Sequence, residues 1–123
     1  MSALPAVAIE GIALWHARMP DWRTARAVIC GKQAAPEPVA KRPTPNLLAP
    51  TERRRAPDTV ALALEVAAHA CEAAGRSPAQ LRSVFASTYG DLGISDYMCA
   101  TLAGTPTLIS PTRFHNSVHN AAA

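Results

Sequence analysis

The run Thr59 to Ala74 (TVALALEVAAHACEAA) constrains this chain most, because it is a long helix with almost nothing polar to turn toward water. Pro57 suits a first helical turn, Asp58 favours the positive end of the helix, and no breaker follows until Gly75. Val60, Leu64, Ala67 and Cys71 form one apolar row, and Leu62, Val66, Ala70 and Ala73 widen it. Only Glu65, His69, Glu72 and Arg76 are left for a narrow polar stripe. A helix apolar over most of its circumference is packed on two sides, as in the middle layer of a multilayered α/β fold.

The rest of the chain supplies candidate neighbours. Val7 to Trp15 (VAIEGIALW) is apolar and partly β-branched, which suits a buried strand, and Gly11 within it marks a place where another backbone comes close. Asp21 can cap a helix over Trp22 to Cys30, with Gly31 as its left-handed stop. Five prolines (Pro36, Pro38, Pro43, Pro45, Pro50) bar both helix and central strand from Lys32 to Pro50. Residues 32–57 therefore form a Pro-rich, basic, extended surface loop. Ser77-Pro78-Ala79-Gln80 has capping-box spacing and predicts a single turn. Ser83 to Thr88 predicts a buried strand, Gly90, Asp91 and Gly93 a tight turn, and Ile94 to Leu102 a helix ending at Gly104. This order indicates an α/β fold with partly parallel strands, in one domain over residues 1–123. Aromatic residues are only 5% of a chain that is 49% hydrophobic, so the core is expected to use small-residue helices. A chain of this length is expected to bury roughly two thirds of its unfolded surface.

A formal charge of +3 is modest, and its excess gathers at Lys41-Arg42 and Arg53-Arg54-Arg55. A small basic nucleic-acid-binding protein is the function class this cluster brings to mind. No aromatic residue lies among these cations to stack on bases, and a solvated loop whose arginines pair with carboxylates or a partner chain accounts for them better. Nucleic acid is therefore not an expected partner. Cys30, Cys71 and Cys99 are odd in number, widely spaced and outside any C-x-x-C pair, which fits small buried hydrophobes in a reducing compartment. The start of the chain has no basic segment leading into an apolar run, and no stretch approaches spanning length, so a cytoplasmic protein without a membrane span is expected.

Few residues offer chemistry. His115 and His119 are four apart, the spacing that places two imidazoles on one helix face. Two ligands do not make a metal site, however, and no H-E-x-x-H glutamate stands between them. The simpler expectation is that His115, His119, Asn116 and Asn120 satisfy backbone groups at a buried junction. Cys99 lies inside a predicted helix, with neither a helix N-terminus nor a neighbouring cation to stabilise a thiolate. Tyr89 to Gly93 has glycines after a strand but matches no phosphate-binding pattern, so it reads as a turn and no cofactor is expected. The final Ala121-Ala122-Ala123 favours helix and supplies no cap, so the last turn is expected to fray or to be held by another chain.

Four stretches carry a family resemblance: VAIEGIALW with DWRTARAVICG, LLAPTERRRAPDTVALALEVA, SVFASTYGD, and above all SPTRFHNSVHNAAA. Through them the chain resembles the N-terminal part of β-ketoacyl synthase-like proteins, nearest to the chain-length-factor-like members of aryl polyene clusters. The resemblance implies part of the first half of a thiolase-like layered α/β/α/β/α fold. It also implies that SPTRFHNSVHNAAA precedes the nucleophile elbow, lies near a dimer interface and helps line an acyl-chain pocket. Phe114, His115, Asn116, His119 and Asn120 are then expected to contact a partner subunit or the acyl chain.

The same resemblance implies no catalytic residue in this chain, because no position matches the family's nucleophilic cysteine or its two later histidines. The expected role is a non-catalytic, chain-length-factor-like module. It would support polyketide, aryl polyene or fatty-acid-type elongation by pairing with an active ketosynthase or with itself, and would meet acyl carrier protein only indirectly. The alternative is part of a condensing β-ketoacyl-ACP synthase-type acyltransferase whose catalytic cysteine lies beyond residue 123.

Overall fold

A computed structural model describes residues 4–40 and 43–123. Lys41 and Arg42, two of the five residues of the basic cluster, lie outside the described residues. Among the described residues the elements are helices: α1 (Trp22–Ile29), α2 (Pro50–Arg55), α3 (Asp58–Ala73), α4 (Leu92–Gly104) and α5 (Pro111–His115), with single 3-10 turns at Pro78–Gln80 and Pro106–Leu108. Contacts divide the chain into two compact units, one of Met1–Ala40 with Val66–Leu81 and one of Lys41–Glu65 with Arg82–Ala123.

In the first unit, Asp21 caps α1 as expected, its carboxylate accepting from the Thr24 amide at 2.8 Å. That N–H, together with the Thr24 hydroxyl, holds the Asp21 carboxyl below its ordinary pKa. Two glycines end helices in the left-handed conformation, Gly31 at φ 68° after α1 and Gly75 at φ 64° after α3. Each allows a paired closure of the last turn: Lys32 N–H donates to Ala27 and Gly31 N–H to Val28, while Arg76 N–H donates to Cys71 and Gly75 N–H to Glu72. Gly11 lies against the end of α3, where a Cβ would fall 2.9 Å from the Ala74 nitrogen and also meet the Ala70 carbonyl. The Arg76 guanidinium grips Glu10 with two bonds of 2.8 and 2.9 Å. The Arg18 guanidinium donates to the carbonyls of Ala35 and Pro36, fastening the start of the Pro-rich loop.

In the second unit, Val60, Ala61 and Ile94 are buried and Pro45 is the largest fully buried side chain. Asp91 caps α4 by accepting from the Ile94 amide at 2.9 Å, and its other oxygen accepts from the Thr59 hydroxyl at 2.8 Å. This cap starts α4 at Leu92, so Gly93 belongs to the helix and only Gly90, at φ 64°, forms the turn.

Several expectations need correction. No strand forms at residues 7–15 or 83–88, and among the described residues only an isolated antiparallel bridge joins His16 to Met19. A strand needs a neighbour with free N–H and C=O groups. The element beside Gly11 is a helix, whose backbone bonds are spent internally. Val7, Ile9 and Val84 are accordingly 86, 77 and 95% exposed. The layered α/β/α/β/α arrangement is therefore not present in this structure. With no sheet to pack on, α3 is not covered on two sides: only Val60 and Ala61 are buried, and residues 62–68 are half-covered.

The expected loop 32–57 contains α2, because Pro50 suits the first turn, Glu52 the positive end and Arg53 to Arg55 the negative end. The turn at Pro78–Gln80 forms without a side-chain bond from Ser77. Cys30 and Cys99 are exposed and only Cys71 is half-buried, since few elements are available to cover them. The chain exposes 9427 Å², against about 6300 Å² for a compact monomer of its mass. It thus buries nearer half than two thirds of its unfolded surface, estimated at about 19,000 Å².

Candidate functional site

The segment 110–123 is built outward from α4 of the second unit. The Tyr97 hydroxyl accepts from the Ser110 amide at 2.9 Å and donates to the Leu108 carbonyl at 3.3 Å. This fixes the residue that caps α5, since the Ser110 hydroxyl accepts from the Arg113 amide at 3.4 Å. The Arg113 guanidinium then lies 4.1 Å above the centre of the Tyr97 ring, a cation-π contact worth about 0.5–1 kcal/mol at an exposed site.

The helix so started is short. Asn116 Nδ2 donates to the Thr112 carbonyl at 2.8 Å and the Ser117 hydroxyl to the Phe114 carbonyl at 2.7 Å. Side chains that take the carbonyls of the last turn compete with helix continuation. The chain leaves helix at His115 and runs through turns, with Ala121 N–H donating to Val118 and Ala123 N–H to Asn120. The terminal alanines thus lie outside any helix. His115 is the last residue of α5 and His119 falls beyond it, so the two imidazoles do not share a helix face.

The five residues expected to make contacts are placed differently. His115 and Asn116 line an open cleft of about 560 Å³, whose other walls include Leu48, Val60, Glu52 and Arg55. A volume of that size lies within the range of small-ligand sites. Asn116 also borders a hollow of about 390 Å³ shared with Asp58, Asp91 and Arg113. The His119 ring lies over Gly90, its Nε2 3.7 Å from where a Cβ would stand. Phe114 is 62% and Val118 52% exposed, and Asn120 is exposed. The expected buried junction does not form: His115, His119 and Asn120 all face solvent, and of the four polar side chains only Asn116 is seen to bond a backbone carbonyl.

The arginine run 53–55 of the basic cluster ends α2 and is not a loop. Arg53 turns inward, its guanidinium donating to the Leu48 carbonyl at 3.0 Å, and its buried Nε has no acceptor among the described residues. Arg55 lines the cleft. Cys99 stands well inside α4, away from the helix N-terminus that would lower a thiol pKa. Among the described residues no group of three or more His, Cys, Asp or Glu could hold a metal ion, and no helix is long and apolar enough to cross a membrane.

Sequence reasoning missed Tyr97, Arg113 and the capping role of Ser110. The Ser110-Pro111 pair carries the same start signal as Ser77-Pro78 and would have found the last. The Tyr97 clamp spans 13 residues and leaves no local pattern.

Comparison with protein families matches residues 22–123 to the family described as beta-ketoacyl synthase, N-terminal domain. No curated protein and no solved structure matches the chain.

Proposed function

The chain belongs to the beta-ketoacyl synthase N-terminal domain family, and from that premise we propose that it is a non-catalytic, chain-length-factor-like module that pairs with an active ketosynthase. In this role the cleft beside α5 is completed by the partner and supports elongation of an acyl chain of the polyketide, aryl polyene or fatty-acid type. The observation that carries the proposal is uncovered surface. The chain exposes about 3100 Å² more than a compact monomer of its mass, with Val7, Ile9, Val84, Leu108 and Phe114 among its exposed side chains, and obligate interfaces bury about 2000–5000 Å² over both partners together, about half of that on each. Phe114 and Val118, both exposed, flank in sequence the His115 and Asn116 of the cleft wall, so an aromatic and an aliphatic side chain accompany polar ones in this segment. The layered α/β fold belongs to the same proposal, residues 7–15 and 83–88 becoming strands once neighbouring strands offer them ladders.

Co-expression of the full reading frame with its cognate ketosynthase tests this. Co-purification, weakened about tenfold or more by Phe114→Ala, is the expected result. Condensation of acyl and extender thioesters by the full-length protein alone, surviving removal of the partner, would overturn it and favour the condensing enzyme.

A further inference from the structure

A cationic hollow on α1 lies apart from the α5 cleft. Arg23 and Arg26 share one face of α1, and Cys30, the residue that caps its C-terminal end, continues their helical spacing. Lys32 joins them because Gly31 reverses the chain in its left-handed conformation, and the Lys32 amide returns to bond the Ala27 carbonyl at 2.8 Å. These residues and Ala27 line a hollow of about 270 Å³, with no carboxylate in its wall. Asp21 is the acidic group acting on this face, and its carboxylate is engaged by the amide and hydroxyl of Thr24. The carbonyls of Arg26, Ala27 and Val28, the negative end of α1, are all taken up by backbone N–H groups. Cys30 itself is exposed.

We propose that this hollow is an S-thiolation site selective for anionic, carboxylate-bearing low-molecular-weight disulfides. The three cations draw the reagent in and then hold the carboxylates of the adduct. In the reaction Cys30 gives its proton to solvent and its thiolate attacks one sulfur of the disulfide. The Cys30–S–S–R bond forms, the reagent's S–S bond breaks, and R–S⁻ leaves with the electron pair. The disulfide is the oxidant, and no further reactant is needed. Cys99 is an internal control: it is also exposed, and the one charged side chain within a turn of it on α4 is Asp96.

The experiment uses the whole reduced chain and two reagents, the dianion 5,5′-dithiobis(2-nitrobenzoate) and neutral 2,2′-dithiodipyridine, with the labelled cysteines assigned by peptide mass. At low salt the Cys30 to Cys99 labelling ratio should be about fivefold higher for the dianion than for the neutral reagent. It should fall toward equality near 1 M salt, where the Debye length is about 3 Å. Replacing Arg23, Arg26 and Lys32 together by Gln should abolish the preference at low salt. Equal ratios for the two reagents at low salt, a preference that survives high salt, or one that survives the triple substitution would each overturn the proposal. The salt series needs no variant, so the test stands even if the triple variant does not fold, and none of its results depends on pairing with a ketosynthase.

Discussion

Asp91→Ala should loosen the second unit at one identifiable point. One carboxylate oxygen accepts from the Ile94 amide at 2.9 Å and the other from the Thr59 hydroxyl at 2.8 Å, so a single side chain starts α4 and ties it to the first turn of α3. Loss of an N-cap costs about 1 kcal/mol. The bond to Thr59 is exposed, where water competes, and adds about 0.5 kcal/mol. Removing a negative charge from the positive end of α4 adds about 0.3 kcal/mol. The sum is close to 2 kcal/mol, a large share of the stability of a small chain.

Two companions divide that sum. Asp91→Asn keeps an oxygen for the Ile94 amide and turns an NH₂ group toward Thr59, whose hydroxyl oxygen accepts, so the bond reverses direction and the loss should lie between about 0.3 kcal/mol, the charge alone, and about 0.8 kcal/mol, the charge and the bond. Thr59→Val removes the same bond from the other side for about 0.5 kcal/mol. Because the two changes delete one shared interaction, the double variant should cost less than their sum. Urea unfolding at neutral pH, followed by helical circular dichroism, measures the four variants against the unchanged protein. A cost for Asp91→Ala under about 0.5 kcal/mol, or an equal cost for Asn and Ala, would refute the assignment of Asp91 as the cap.

Gly11→Ala should destabilise the first unit by about 1–3 kcal/mol, since the added methyl would press on the Ala70 carbonyl and come within 2.9 Å of the Ala74 nitrogen; unchanged urea stability would show that the segment does not pack on α3. The Arg76 hydrogen bonds, and then its charge, lower the Glu10 pKa below its ordinary 4.5. With the folded value depressed, the contribution is complete above pH 4.5 and is lost as pH falls through the lowered value. Carboxyl titration by NMR should show Glu10 returning to its ordinary range in Arg76→Gln, and a titration identical in the two proteins would contradict the pair.

The elements legible in the sequence are those that satisfy themselves. Asp21, Gly31, Gly75 and the run 59–74 were read correctly because a helix closes its own backbone bonds and its ends are marked by one or two local residues. Gly11 was read correctly as a place of close approach, although the backbone that approaches is α3 and not a strand. The two strands failed for the complementary reason. Apolar and β-branched composition at residues 7–15 and 83–88 states what a strand would bury, but a ladder depends on a partner that local sequence does not describe. The α5 cleft was legible in part: the segment 110–120 was singled out, yet its walls come from Leu48, Glu52, Arg55 and Val60, brought there by tertiary packing.

The same distinction between self-satisfied and partner-dependent groups bears on how the α5 region can act. Asn116, whose side-chain amide already bonds the Thr112 carbonyl, keeps its remaining polar capacity on the cleft wall. His115 lines that wall, and the exposed His119 ring lies over Gly90. Phe114 is different: more than half its surface meets water. An aromatic side chain held at a fixed angle by a capped helix, itself anchored through Ser110 to the Tyr97 hydroxyl, loses little conformational freedom when another surface covers it. If the proposed pairing holds, such a group contributes most of its free energy on association and little to folding, and Tyr97→Phe, which removes the hydroxyl that anchors Ser110, should weaken co-purification with the ketosynthase.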